Sequence, residues 1–133
     1  MTMLRDFNIQ NVPSDYEVLA PDGSEIRSIF AMQSGSVCHC RLPVNAVTIA
    51  QRHQTIDEFW YVIRGTGQVW RKLGNEEVIL DVAPGKYLNI PVGAHFQFRT
   101  TSSEPLEIII FTMPPWPGDS EAVRVEGPWQ PSL

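Results

Sequence analysis

An all-β barrel or sandwich is the fold class this sequence predicts, and three observations predict it. Almost no stretch carries helical periodicity, short β-rich runs recur along the chain, and breakers containing Gly, Pro, Asn or Ser stand between them. Nine such runs in under ninety residues leave no room for a helical layer. The sheets must therefore cover one another or close on themselves.

The elements follow in order. Residues 1–25 form an N-terminal arm of weak pattern with a turn at "PDGS". Residues 26–112 hold the barrel. Its predicted strands are "IRSIFAMQ" (26–33), "SVCHCRL" (36–42), "VTIAQ" (47–51), "EFWYVIR" (58–64), "QVWRK" (68–72), "EVILDV" (77–82), "KYLNI" (86–90), "HFQFRT" (95–100) and "LEIIIFT" (106–112). Each is rich in the β-branched and aromatic residues that pack well on a pleated surface. The breakers "QSG", "PVN", "GTG", "LGN", "APG", "PVG" and "SSEP" supply the backbone freedom or rigidity that turns require. Residues 113–133 are a tail with five prolines and two of the four tryptophans. Flexible tails rarely spend Trp and Val, so Trp116 and Trp129 are expected to dock on the barrel or on a partner subunit.

Composition removes several classes of function. At 133 residues the chain is one domain, and 43% hydrophobic with 19% charged residues is ordinary for a globular protein. A net charge of −5, with ten scattered Lys and Arg, argues against nucleic acid as a partner. No apolar run approaches the roughly 20 residues of a membrane span, and "MTMLRDFNIQ" lacks the pattern of a secretory signal. Cys38 and Cys40, the only cysteines, sit two apart on one face of a strand, where a mutual disulfide would be badly strained. The tract "CHC" lacks the second ligand pair of a thiolate zinc site, so free thiols in a reducing cytoplasm are expected. Gly65 and Gly67 bracket a tight turn, and no helix follows them to take a phosphate.

The chemistry concentrates in "QRHQTIDEFWYVIRGTG", residues 51–67. On strand 58–64, Glu58, Trp60 and Val62 share one face and Phe59, Tyr61 and Ile63 the other, which predicts burial on both sides. A carboxylate there needs a cationic partner. Gln51 and His53 share a face just upstream. In "IPVGAHFQFRT", His95, Gln97 and Arg99 share one face and Phe96 and Phe98 the other. A buried Glu and two buried His on neighbouring strands would relieve one another by chelating a divalent cation.

These residues carry a resemblance. "HQTIDEFWYVIRG" resembles the first motif of the cupin superfamily (His-x-His, three or four residues, Glu, six residues, Gly), with His53, Glu58 and Gly65 in place. "GKYLNIPVGAH" resembles the second (Gly, five residues, Pro-x-Gly, two residues, His), with Gly85, Pro91, Gly93 and His95. The chain departs from the pattern twice. Gln51 stands where the first histidine would be. One residue, Ala94, separates Gly93 from His95 instead of two, and a shift of one residue exchanges the faces of a strand.

The resemblance implies a double-stranded β-helix, a cupin jelly-roll barrel, with the site inside one end. It implies a divalent transition metal (Fe, Mn, Ni or Zn) on His53, Glu58 and His95, with Gln51 or His39 as a weak fourth ligand. Trp60, Trp70, Gln97 and Arg99 are the candidate pocket residues, Arg99 as a clamp for a substrate carboxylate. One carboxylate leaves such a centre positive, favouring a small polar or anionic metabolite and oxygenase, isomerase or lyase chemistry. The alternative is a barrel that binds a small ligand without metal or catalysis, which the Gln51 replacement favours. A homodimer is expected from the Trp- and Pro-containing tail and from the edge strands such a barrel leaves to cover.

Overall fold

Two antiparallel sheets carry the chain, and the computed structural model describes residues 6–133 of it. The strands are β1 (Val18–Leu19), β2 (Glu25–Ala31), β3 (Ser36–Leu42), β4 (Gln51–His53), β5 (Asp57–Arg64), β6 (Gly67–Leu73), β7 (Glu76–Val82), β8 (Tyr87–Ile90), β9 (His95–Thr100), β10 (Leu106–Met113) and β11 (Ala122–Arg124). One sheet runs β1-β2-β3-β10-β5-β8 and the other β11-β4-β9-β6-β7. They face each other as the double-stranded β-helix that the motifs imply. Among the described residues the one helical piece is a single 3-10 turn, Asp119–Glu121.

Most predicted strands lie within two residues of the observed ones. The run 47–51 is the exception: β4 starts only at Gln51, and Val47 makes an isolated bridge to Arg99. Its backbone groups are satisfied irregularly instead. Thr48 N–H donates to Phe98 O at 3.0 Å, Ile49 N–H to Asp22 O at 3.0 Å, and Ala50 O accepts from Val125 N–H at 3.0 Å. The strands β1 and β11, two and three residues long, are too short to show a period in the sequence.

Side chains alternate across every strand, and the inward set changes chemistry along the barrel axis. At one end Leu42, Val62, Val69, Phe98, Leu106 and Ile108 are wholly buried and form a dry core. Moving along the same strands, Cys38, Glu58 and Thr112 take the inward positions, and Gln51 and His53 enter from β4. The core thus closes one end, and the other is polar.

The expectation that β5 is buried on both sides is corrected. Glu58, Trp60 and Val62 are buried, but Phe59 is 55% exposed and Ile63 is exposed as well, because among the described residues no segment covers the outer face of the sheet at β5. The turn after β5 needs its glycine: Gly65 has φ +73, and a Cβ there would collide with the Pro105 carbonyl.

The C-terminal segment runs back across the second sheet. The strand β11 pairs with β4, and the Glu121 carboxylate accepts from the N–H groups of Thr55 and Ile56 and from the Thr55 hydroxyl. These bonds hold Glu121 below the usual carboxylate range against the opposing effect of burial. Further on, Trp129 N–H donates to Gln97 Oε1 at 3.1 Å and Gln97 Nε2 donates to Trp129 O at 2.9 Å. The Arg99 guanidinium lies 4.2 Å over the Trp129 ring.

Candidate functional site

A cavity of about 270 Å³ occupies the polar end of the barrel. Strand β4 brings Gln51 and His53, β5 brings Glu58 and Trp60, β9 brings Phe96, and β10 brings Thr112. The arm adds Glu17 to Asp22, and the tail adds Trp116 to Asp119.

Glu58 is 5% exposed. Trp60 Nε1–H donates to its Oε1 at 2.9 Å and the Thr112 hydroxyl donates to its Oε2 at 3.1 Å. Burial raises its pKa to about 7 despite those two bonds, helped by the neighbouring acids Asp22 and Glu121. His53 is 2% exposed, with Phe96 edge-on at 5.1 Å and Trp116 edge-on at 5.5 Å between ring centroids. Burial lowers its pKa to about 4, with Glu121 pulling the other way. His53 Nδ1 is 3.9 Å from Glu58 Oε1 and has no hydrogen-bond partner among the described residues. Between about pH 4 and 7 both groups are neutral, so this contact is not an ion pair.

Asp22 is the second buried acid of the cavity. Its Oδ1 accepts from the Ser24 N–H at 2.9 Å and the Ser24 hydroxyl at 2.6 Å, and burial raises its pKa. Cys38 lines the cavity and Cys40 lies in the core beyond it, both as free thiols. Burial pushes Cys38 up to about 12, so its sulfur stays protonated and is no nucleophile.

This arrangement sits within a stretch, residues 38–112, that matches the cupin domain family and is more than half of the chain. The chain belongs to the cupin family. This cupin is 26% identical over 114 residues to an uncharacterized protein of Methanocaldococcus jannaschii, an alignment covering 79% of this chain and 88% of that one. Its fold is similar to that of an uncharacterized conserved protein with a double-stranded β-helix domain from Klebsiella pneumoniae, at 14% identity and a TM-score of 0.69, covering 92% of this chain and all of that one. It is also similar to oxalate decarboxylase from Bacillus subtilis, at 17% identity and a TM-score of 0.72, over 90% of this chain but 33% of that one. At such identities the two structures show the fold alone.

The expected metal centre is not assembled. His95 pairs in register with Arg52 and Lys72, outside the barrel, with its ring 6.4 Å from that of Trp70. Phe96, in register with Gln51, takes the inward position instead. The missing residue before His95 is the physical reason. The turn Pro91–Ala94 closes through Ala94 N–H on Pro91 O at 3.0 Å, and the place that the family pattern gives to the ligand, with two residues between it and Gly93, is position 96, filled here by Phe96. The proposed fourth ligands divide: Gln51 lines the cavity, whereas His39 points outward and pairs through Nε2 with Glu107 Oε1 at 2.9 Å. Among the described residues no three His, Cys, Asp or Glu side chains converge closely enough for a metal ion. What the cavity offers is one imidazole, His53, one carboxylate, Glu58, whose oxygens also accept from Trp60 and Thr112, and the weak Gln51 amide. This donor set does not fit a transition metal.

The expected pocket residues divide as well. Trp60 lines the cavity. Trp70, in register with Gln97, lies on the outer face, where its Nε1–H donates to Glu77 Oε2 at 2.7 Å. Gln97 and Arg99 anchor the C-terminal segment rather than a substrate; Arg99 also donates to Gln68 Oε1 at 2.6 Å.

The cavity also takes residues that the sequence motifs do not mark as pocket residues: Asp22, Cys38, Phe96, Thr112 and Trp116. Thr112 was within reach, since it continues the inward alternation of Ile108 and Ile110. Asp22 was not, because "PDGS" reads only as a turn. Among the described residues no helix is long and apolar enough to cross a membrane.

Proposed function

We propose that this cupin binds a small molecule in the cavity at the polar end of the barrel, without a metal. The observation that supports this most is the inward position of Phe96, which puts a phenyl ring beside His53 where the third ligand would be needed. An imidazole with a free Nδ1 and an acid held by Trp60 and Thr112 then offer hydrogen bonds to a ligand that aromatic walls enclose. The unmet bond of His53 is itself a driving force, since a buried polar atom without a partner costs roughly 1–3 kcal/mol.

The metal-dependent enzyme reading retains two of its donors, His53 and Glu58, in one cavity. One experiment separates the two readings. The full chain, purified without a tag, is analysed for metals before and after reconstitution with Fe, Mn, Ni and Zn. It is then screened by thermal shift against small molecules in the presence of a chelator. The expected result is no stoichiometric metal and ligand stabilisation that persists in chelator. A near-stoichiometric metal that is lost in both His53→Ala and Glu58→Ala would overturn the proposal.

A further inference from the structure

The sequence led to a small polar or anionic ligand, and the cavity's charge does not suit the anionic one. Four carboxyl groups line it, those of Glu17, Asp22, Glu58 and Asp119, and among the described residues no Lys or Arg does. Its one basic side chain is His53, which burial keeps from protonating near neutral pH. The nearest inward-facing guanidinium on β6, that of Arg71, is turned to β8, where it donates to the carbonyl and side-chain oxygens of Asn89 at 3.0 Å. Asp22 is 5% exposed, and only its Oδ1 takes the two bonds from Ser24. An acid so buried, without a cation beside it, is destabilising in the empty protein, and a cation in the cavity would relieve it.

Two independent features point to a ligand there. One is the His53 Nδ1 atom, unpartnered in a side chain 2% exposed that lines the cavity. The other is the wall itself, in which Trp60, Phe96 and Trp116 stand among the acids. Electron-rich rings and carboxylates together attract ammonium groups and repel carboxylates.

From this we infer that the cavity takes a small organic cation, an amine or quaternary ammonium group carried on a compact apolar body, with Asp22 and Glu58 facing the charge and His53 Nδ1 taking a donor hydrogen. This rests on the small-molecule reading and names its ligand class.

The test uses three probes of one shape and different charge: 2-phenylethylamine, 2-phenylethanol and phenylacetate. Each is titrated calorimetrically into the full chain at neutral pH. The amine is expected to bind about tenfold tighter than the alcohol or better, with the carboxylate weakest. Asp22→Asn should abolish that preference. Because Asp22 also organises its turn, the exposed rim pair Glu17→Gln with Asp119→Asn provides a second variant, expected to weaken the amine alone. An amine that binds no tighter than the alcohol, or a carboxylate that binds best, overturns the cation class and leaves the small-molecule reading standing. Failure of all three probes to bind overturns both.

Discussion

Glu58 and His53 occupy one cavity yet respond to pH in opposite directions. Glu58 is raised from 4.5 to about 7. It therefore contributes stability that is fully present below pH 4.5 and lost as pH rises through 7. His53 is lowered from 6.5 to about 4, so its contribution is present above pH 6.5 and lost as pH falls through 4. Each shift amounts to on the order of 3 kcal/mol, and between pH 4.5 and 6.5 the two nearly cancel. The native protein should accordingly show a flat contribution from this pair in that window. Glu58→Gln removes one arm: its melting temperature, relative to the parent, should climb from pH 4 to 6.5. His53→Asn should show the reverse trend between pH 4.5 and 7. Parallel profiles in the parent and Glu58→Gln would show that the two groups do not titrate as their burial dictates.

At the scale of the strand, the lesson lies in β9. The alternation of turn signals and β-rich runs located almost every strand, because turns and pleated surfaces leave short-range marks in a sequence. All three motif glycines at turns, Gly65, Gly85 and Gly93, carry the positive φ that explains them. Which face of β9 looks inward was legible only in part, since leaving two residues after Gly93 gives position 96 and matching the nearest histidine gives His95. That depends on where the Pro91–Ala94 turn hands over to the ladder, a matter of one residue and of long-range pairing with β4 and β6. The motif made His95 a ligand, and the register put Phe96 in its place. The same dependence hid Asp22, which reaches the cavity only because the arm folds over the barrel mouth. If register is the whole reason, Phe96→His should create what the motif implied. Its imidazole would lie beside His53, and Ni(II) or Zn(II) should then raise the melting temperature of the variant and leave the parent unchanged. Loss of the buried phenyl should by itself destabilise the variant by roughly 2–4 kcal/mol. Equal metal responses in parent and variant would mean that the face of β9 is not what decides metal binding.

For the molecule as a whole, the two sheets are not equally finished. The C-terminal segment crosses the outside of the β4-β9-β6 sheet and is tied to it through Glu121, Gln97 and Arg99. The outside of the β10-β5-β8 sheet has no such cover among the described residues. There Tyr87 is 76% exposed, Phe59 55% and Phe111 42%, with Tyr61 stacked on Tyr87 at 4.4 Å between centroids. Edge strand β8 borders the same face, and the charges beside it, Asp57 at one end of β5 and Arg64 with its partners Glu104 and Glu107 at the other, stand at the ends rather than among the aromatics. A face that is apolar at its centre can be buried against its own copy under a two-fold rotation, with its charged ends left at the rim. It is also larger in aromatic content than a solitary soluble domain usually shows to water. We propose that a second copy of the chain covers this face. Sedimentation at micromolar concentration should give a dimer. Replacing both Phe59 and Tyr87 by Lys should give a folded monomer, because a like-charged, hydrated centre cannot be buried against its own copy. Neither Phe59 nor Tyr87 lines the cavity, so the monomeric variant should keep its ligand. A parent that sediments as a monomer, or a doubly substituted variant that remains a dimer, would reject the assignment.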